Sequence, residues 1–114
     1  MTKRSSHPVL PQAPVDLIAV AVGGYQVILA WTEYGAGGLG FRIERADGIG
    51  SACLFSEIGG TGAHVAAFHD ESVKPRTNYS YRVHAWNATG NSSPSNVAEV
   101  RTPQAETELP SDQK

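Results

Sequence analysis

Short runs in which apolar and polar side chains alternate fill residues 16–102 of the chain. Successive side chains of a strand point to opposite faces, so this alternation predicts strands with one buried and one solvent-facing side. The clearest run is 79–87, where Tyr81 and Val83 fall on one side and Arg82 and His84 on the other. No segment sustains the 3.6-residue apolar period of a stable helix. The pattern predicts seven strands, at residues 16–22, 25–33, 40–46, 52–58, 64–70, 79–87 and 96–102.

Glycine-rich breaks separate these runs. Gly23-Gly24 is typical of a two-residue hairpin turn, and Asp47-Gly48 marks a turn after the third strand. The stretch 59–62, Gly-Gly-Thr-Gly, is expected to separate the fourth strand from the fifth. Seven short strands with turns at this spacing predict an all-β antiparallel sandwich or a small barrel.

The two ends of the chain differ from its middle. Residues 1–13 contain prolines and polar residues and are expected to form a flexible leader, while residues 14–102 form the domain. Residues 103–114 are expected to form an acidic flexible tail. No apolar segment follows the basic residues near the N-terminus, so no signal peptide is expected.

Composition excludes several classes of protein. The 114 residues include 9 Lys and Arg against 11 Asp and Glu, and the resulting net charge of −2 lacks the basic character of a nucleic-acid binder. Apolar residues make up 40% and charged residues 18%, which is too apolar for a disordered chain. No run of 18 apolar residues occurs, so membrane insertion is not expected. Cys53 is the single cysteine, which excludes an intramolecular disulfide and a cysteine-rich zinc cluster.

Several residues stand in the order and spacing of a fibronectin type III domain. Pro14 and Leu17 resemble the proline-led first strand of that family, Trp31 stands where it has a core tryptophan, and Phe41 where it usually has a tyrosine. Residues 73–79, Val-Lys-Pro-Arg-Thr-Asn-Tyr, resemble its Leu-x-Pro-x-Thr-x-Tyr corner, with valine in the place of leucine. The stretch 90–95, with its glycine and serines, resembles the approach to the family's last strand.

This resemblance covers about residues 13–102 and implies a seven-stranded Greek-key β-sandwich with sheets A-B-E and C′-C-F-G. It also implies a tyrosine corner, in which the Tyr79 ring enters the core and its hydroxyl points back to the backbone of the preceding turn. Large aromatic side chains bury the most area and dominate such a core. The expected core residues are Leu17, Val27, Leu29, Trp31, Phe41, Ile43, Phe68, Val73, Tyr79, Tyr81 and Val83.

One motif resembles a dinucleotide-binding loop. Residues 35–40 match G-x-G-x-x-G, and Glu57 follows at 17 residues beyond Gly40. In such a loop the last glycine opens a helix whose N-terminal N–H groups hold the pyrophosphate. The alternation at 41–46 predicts a strand there, so we expect a connecting loop and no bound cofactor.

The histidines and the cysteine give no catalytic or metal-binding constellation. His69 and His84 are predicted on opposite outer faces of the sandwich, and His7 lies in the leader. A zinc site needs converging ligands, so no metal is expected. Clustering of His64, His69 and Cys53 in a cleft would be needed to support an enzyme, and we expect none.

The outer face of the C and F strands is the first candidate binding surface. It combines charged and aromatic residues, of which Arg and Trp are enriched in binding hot spots. The same residues could serve only as stabilising cross-strand pairs and a cation–π contact. The candidate residues are Arg42, Glu44, Arg82, His84 and Trp86.

The loops B–C and F–G are the second candidate surface, with Tyr34, Asn87 and Asn91. Loops on a rigid sandwich commonly carry recognition, although these loops could simply connect strands. Asn78, Asn87 and Asn91 each begin an N-x-S/T sequon, which matters only if the chain is glycosylated.

The function expected from the resemblance is that of a non-catalytic module serving as a protein-interaction or spacer unit of a larger protein. The family also implies extracellular, cell-surface or adhesion settings, with a protein partner or a neighbouring domain as the contact and the isolated domain as a monomer. The alternative is a carbohydrate-binding module or spacer attached to a secreted polysaccharide-degrading enzyme. That alternative needs a row of exposed aromatics, for which only Trp86, Tyr34 and Tyr25 qualify.

Overall fold

The computed structural model describes residues 9–35, 38–49 and 54–105, and every regular element in these ranges is a strand. Eight strands follow one another in these described ranges. They are β1 (Val15–Ala21), β2 (Val27–Thr32), β3 (Gly40–Asp47), β4 (Ser56–Gly62), β5 (Ala67–Asp70), β6 (Asn78–Asn87), β7 (Gly90–Asn91) and β8 (Ala98–Arg101).

The strands form two antiparallel sheets. One has the order β1-β2-β5, and the other has the order β4-β3-β6-β7, with β8 also paired to β6. The first sheet is the expected A-B-E sheet and the second the expected C′-C-F-G sheet. The predicted all-β sandwich is confirmed. The last predicted strand, 96–102, corresponds to β8, and the structure adds a two-residue strand, β7, before it.

Serine side chains explain why β7 and β8 are not one continuous strand. Between β7 and β8 the Ser92 and Ser95 N–H groups donate to the carbonyls of Ala85 and Val83, at 2.7 and 2.8 Å. In return the Ser92 and Ser95 hydroxyls accept from the N–H groups of Ala85 and Val83, at 2.9 and 3.0 Å. The hydroxyls replace strand carbonyls, so the backbone groups of β6 stay paired where the regular ladder stops.

The prediction that residues 59–62 break the chain between two strands is wrong. These residues lie inside β4, since Gly59 pairs with Ile43 and Gly62 with Gly40. A Cβ on Gly59 would lie 2.7 Å from the ring of Phe68, so glycine is needed there for the two sheets to approach. The fifth strand is correspondingly shorter than predicted and begins at Ala67.

The hairpin between β1 and β2 is also longer than the two-residue turn predicted at Gly23-Gly24. The last pair of the ladder is Ala21 with Val27, which leaves a five-residue connection closed by a hydrogen bond from Val22 N–H to the Gln26 carbonyl. Gly23 supplies the positive φ of 84° that this turn needs.

The core lies between the two sheets and is built from inward-facing positions of both. Trp31 and Phe41 pack edge to face with ring centroids 5.3 Å apart. Phe68 is half-buried against this core. The buried members of the core include Leu17, Val27, Leu29, Trp31, Phe41, Ile43, Val73, Tyr79, Tyr81 and Val83.

Two hydrogen-bonded joints fix the edges of the sandwich. The Tyr79 hydroxyl accepts from the backbone N–H of Lys74 at 2.8 Å, which ties the turn before β6 to the core. The side-chain amide of Asn96 accepts from the Leu17 N–H at 2.8 Å and donates to the Leu17 carbonyl at 3.0 Å. Asn96 thereby pairs with part of β1 and protects that edge from other strands.

Candidate functional site

Direct pairing of β3 and β6 brings the five residues of the first candidate surface together. Arg42 lies opposite His84, Glu44 opposite Arg82, and Gly40 opposite Trp86. All these side chains point away from the core, because their neighbours Phe41, Ile43 and Val83 are buried. We call Arg42, Glu44, Arg82, His84 and Trp86 the charged ladder.

Glu44 is the centre of the charged ladder. One of its carboxylate oxygens accepts from Arg82 Nε and lies 3.1 Å from His84 Nε2. Burial raises the pKa of Glu44, but the hydrogen bonds and positive charges of Arg82 and His84 outweigh it and hold the pKa below its usual range. The carboxylate therefore stays ionised and fixes two cationic or polar partners in place.

His84 lies beneath the other members of the ladder, with a side chain only 13% exposed. Its Nδ1 is 2.8 Å from the Ser92 carbonyl, and its Nε2 faces Glu44. Both neighbours are oxygen acceptors, so only a doubly protonated ring donates to both of them. His84 thus links the outer face of β6 to the serine-bridged segment after β7.

Two guanidinium groups cover aromatic rings on this face. The Arg42 guanidinium lies 4.8 Å from the centroid of Trp86, and the Arg82 guanidinium lies 4.3 Å from that of Phe55. Such exposed contacts contribute about 0.5–1 kcal/mol each. Arg42 also donates to Asn91 Oδ1 at 3.0 Å. The ladder is therefore a preassembled surface whose charged groups already have partners.

Gly40 has a structural role that its place in the G-x-G-x-x-G motif does not suggest. A Cβ at Gly40 would lie 2.8 Å from the indole nitrogen of Trp86 and 2.5 Å from the Thr61 carbonyl oxygen. Glycine at the start of β3 therefore lets Trp86 lie across the strand. The motif gives no phosphate-binding helix, because Gly40 opens a strand, while Ala36 and Gly37 lie outside the described residues.

The three residues of the second candidate surface each make different contacts. Asn87 accepts from the N–H groups of Thr89 and Gly90, at 2.8 and 3.2 Å, and so stabilises the turn between β6 and β7. Asn91 belongs with the charged ladder through its bond to Arg42. Tyr34 is 62% exposed and lines a shallow depression with Glu33 and His64.

The aromatic residues considered for sugar binding are not aligned. Tyr25 precedes β2 and Tyr34 follows it, so they lie at opposite ends of a strand that spans about 20 Å. Trp86 lies on the other sheet, with Arg42 over its ring. The described residues therefore offer no flat aromatic row of the kind that a polysaccharide chain would stack on.

The histidines are spread over the molecule. His64 is exposed and pairs with Glu33 at 3.0 Å, His69 is exposed on β5, and His84 lies on the other sheet. Within the described residues no group of three His, Cys, Asp or Glu side chains could hold a metal ion. His7 and Cys53 lie outside these residues.

A buried ion pair between the sheets escaped the sequence analysis. Asp70, at the end of β5, is 3% exposed and accepts from Arg45 Nη1 at 3.0 Å and from the Tyr81 hydroxyl at 2.7 Å. Ser72 donates its N–H and its hydroxyl to the other carboxylate oxygen. The sequence contains a signal for this pair, because Arg45 and Asp70 carry opposite charges and both occupy inward-facing positions of their strands.

Electrostatics agree with this arrangement. Burial raises the pKa of Asp70, but the hydrogen bonds from Ser72, Tyr81 and Arg45 together hold the pKa below its usual range. Burial, and then the neighbouring Asp70 carboxylate, raise the pKa of the Tyr81 hydroxyl far above its ordinary value. Asp70 is thus a charged acceptor and Tyr81 a neutral donor, which makes the group a structural joint between β5, β3 and β6.

The other outer face, on the sheet β1-β2-β5, has a different character. Ile18 and Val20 on β1 are 56% and 51% exposed. Ile28 and Ala30 lie beside them on β2, and Ala67 on β5. We call these five residues the apolar face. The alternation of positions 16–22 did not distinguish this face, because both phases of that run are largely apolar.

No helix in the described ranges has the length and apolar character needed to cross a membrane. The sequence matches no protein-family model and no curated protein. Solved structures do match. The fibronectin type-III domain of human fibronectin type III domain containing protein 3 is 23% identical, with a TM-score of 0.70, and the match covers 96% of this chain and 100% of that one.

Two further matches come from longer chains. Domains A168–A170 from titin match with a TM-score of 0.72 and 22% identity, over 83% of this chain and 33% of that one. The FN1–FN3 domains of chicken CNTN1 match with a TM-score of 0.68 and 19% identity, again over 83% and 33%. This chain thus spans a third of each. At these identities the likeness is one of fold, and the fold is that of fibronectin type III domains.

Proposed function

We propose that this chain is a non-catalytic module of a larger protein and that it contacts a protein partner or a neighbouring domain through the charged ladder. The observation that carries the proposal is the fixed arrangement of Arg42 over Trp86 beside the Glu44–Arg82 pair. In the matched titin and CNTN1 chains the similar domain stands among others. We propose the same modular setting here, with residues 14–102 as the domain between a leader and an acidic tail.

The charged ladder is suited to binding because its side chains are already ordered. Holding a long side chain in one rotamer on binding costs about 0.5–1.5 kcal/mol, and a preassembled surface avoids part of that cost. Arg42 and Arg82 remain 38% and 32% exposed, so their free edges can reach a partner. Arg and Trp are also the side chains that most often dominate binding energy.

The partner that fits this surface is a protein surface with acidic and apolar groups side by side. Carboxylates would pair with the free edges of the two guanidinium groups, and an apolar side chain would pack on the exposed edge of Trp86. A spacer role without a partner is the remaining possibility within the same proposal. A cell-adhesion or extracellular setting is compatible with this surface, and nothing in the ladder is specific to it.

The proposal is tested by affinity capture with the full chain. The immobilised protein is incubated with secreted and cellular extracts and, separately, with insoluble polysaccharides. A variant with Arg42→Ala and Trp86→Ala is compared with a control variant, Arg101→Ala and Tyr25→Ala, which removes the same kinds of side chain from exposed positions away from the ladder. Circular dichroism first establishes that both variants fold.

A protein retained by the wild type and the control, and lost in the ladder variant, is the expected result. Retention that all three proteins share would mean that the ladder is not the contact surface. Retention of a polysaccharide, lost with Trp86, would favour the carbohydrate-binding alternative instead.

A further inference from the structure

The apolar face leaves adjacent aliphatic side chains of all three strands in water. Ile18 and Val20 are more than half exposed, and Val22, just beyond β1, is 49% exposed. A contiguous apolar patch of this kind on the surface of a domain is often functional. We propose that the apolar face packs against the same face of a second copy of this chain, a contact separate from the charged ladder.

The charge distribution argues against an ionic partner for the apolar face. The outward positions of β1 from Ile18 onward, of β2 and of β5 contain no Asp, Glu, Lys or Arg. His69, at the end of β5, is the one titratable side chain among them, and its ring lies 3.4 Å from the Gln26 amide. Two copies of this face therefore meet without bringing fixed like charges together.

Residues 1–8 and 106–114 of this sequence are not a suitable cover for the apolar face, because Met1 and Leu109 are their only large apolar residues. A three-stranded apolar face needs a matching run of apolar side chains, which neither of these segments has. The same face of a second copy has such a run.

One of the two cross-strand rows of the apolar face is complementary in size to itself. In one cross-strand row the large Ile18 on β1 is followed by the small Ala30 on β2 and Ala67 on β5. A two-fold axis parallel to β2 and midway between the copies places β1 of each copy over β5 of the other. Ile18 then lies over the second copy's Ala67, and the two Ala30 residues face each other. Facing sheets pack closely where large residues lie over small ones, as in this row. In the next row the same axis places Ile28 over the second copy's Ile28 and Val20 over its His69.

The size of the apolar face sets the strength of the contact. Three strands about 4.8 Å apart and about 20 Å long cover roughly 300 Å² on each copy. A standard stable interface uses about 800 Å² per partner. We therefore infer a weak, reversible dimer that dissociates at micromolar concentrations, where the chain is a monomer.

Sedimentation of the full chain from about 10 µM to about 1 mM tests this contact. The wild type is expected to change from monomer to dimer over this range. Val20→Lys places a charge in the apolar face and is expected to raise the dissociation constant more than tenfold. Val97→Lys is the matched control, because Val97 is 48% exposed and lies outside that face, between β7 and β8. This control is expected to associate like the wild type.

Two results would overturn the proposal. One is a wild type that stays monomeric up to the highest concentration, and the other is equal association of Val20→Lys and the wild type. If Val20→Lys does not fold by circular dichroism, Ala67→Glu tests the same contact from the opposite strand. Loss of self-association leaves capture by the charged ladder unchanged, so the two proposals fail separately.

Discussion

The two outer faces of the sandwich differ in how their side chains are satisfied. On the charged ladder, Glu44 accepts from Arg82 and His84, and Arg42 lies over Trp86. On the apolar face, Ile18, Val20 and their neighbours contact water and have no polar partners to satisfy. The side chains of the charged ladder have their partners within the single chain, whereas those of the apolar face leave water only when another surface covers them.

This difference separates two ways in which a sheet can bind. A paired charged surface gives little affinity until a partner competes for its free edges, and so it favours selectivity over strength. An apolar sheet face gains free energy from any matching surface, at about 25 cal/mol for each Å² removed from water. We therefore expect selective recognition on the charged ladder and weak self-association on the apolar face.

The largest expected effect comes from the joint that lies behind both faces. Asp70→Ala leaves the Arg45 guanidinium and the Tyr81 hydroxyl without their shared acceptor. We expect the free energy of unfolding to fall by about 3–5 kcal/mol, as is usual when one partner of a buried pair is removed. Urea denaturation followed by fluorescence measures this fall. Glu71→Ala, at the exposed next position, is the control and should change stability by less than about 0.5 kcal/mol. Equal effects of the two changes would contradict a structural role for the Asp70 joint.

Acid should weaken the same joint. Asp70 and Glu44 both have a lowered pKa in the folded protein, so the folded state binds protons less readily than the unfolded state. Their contribution to stability is complete above the ordinary carboxyl pKa of about 4 and is lost as the pH falls below it. Denaturation midpoints between pH 8 and pH 2 should be flat at first and then drop. The Asp70→Asn variant should be less stable than the wild type at pH 7 and should lose less stability on acidification. If the midpoints of the variant and the wild type fall in parallel, Asp70 is not responsible for the loss of stability in acid.

A smaller effect is expected when the charged ladder loses its centre. Glu44→Ala removes the acceptor shared by Arg82 and His84, and we expect a loss of about 1–2 kcal/mol, since these groups are partly exposed. Glu57→Ala removes a half-exposed carboxylate 3.7 Å from Arg42 and should cost less than about 0.5 kcal/mol. Chemical denaturation of both variants distinguishes them, and a Glu44→Ala variant as stable as Glu57→Ala would mean that the ladder is not preassembled.

The smallest effect on stability is expected on the apolar face. Val20→Lys replaces a half-exposed apolar side chain with a charged one and should change the free energy of unfolding by no more than about 0.5 kcal/mol. The same change should abolish self-association at high concentration. A large loss of stability in the dilute monomer would mean that Val20 supports the fold of the single chain, and the comparison of the two faces would then break down.

The alternation of side chains predicted most of this architecture. It placed Tyr81 and Val83 inward and Arg82 and His84 outward on β6, and so predicted the charged ladder from the sequence alone. The corner at Tyr79 followed from its resemblance to a known turn. Such features depend on local sequence and on a simple period, which is why they can be predicted.

Other features depend on contacts between distant residues. The glycine at 59 resembles a turn residue, and only the ring of Phe68 across the sandwich explains its place in a strand. Ser92 and Ser95 replace a strand carbonyl only because β6 lies beside them. The apolar face could not be recognised either, since an apolar outward phase in a sequence does not show whether another element covers it.

The most direct test of the different roles of the two faces is a dilution series of ¹H–¹⁵N correlation spectra of the full wild-type chain. We predict concentration-dependent shifts at Ile18, Val20, Ile28, Ala30 and Ala67, with the amides of Arg42, Glu44, Arg82, His84 and Trp86 unchanged. Shifts on the charged ladder with an unchanged apolar face would contradict this account, and so would spectra that do not depend on concentration.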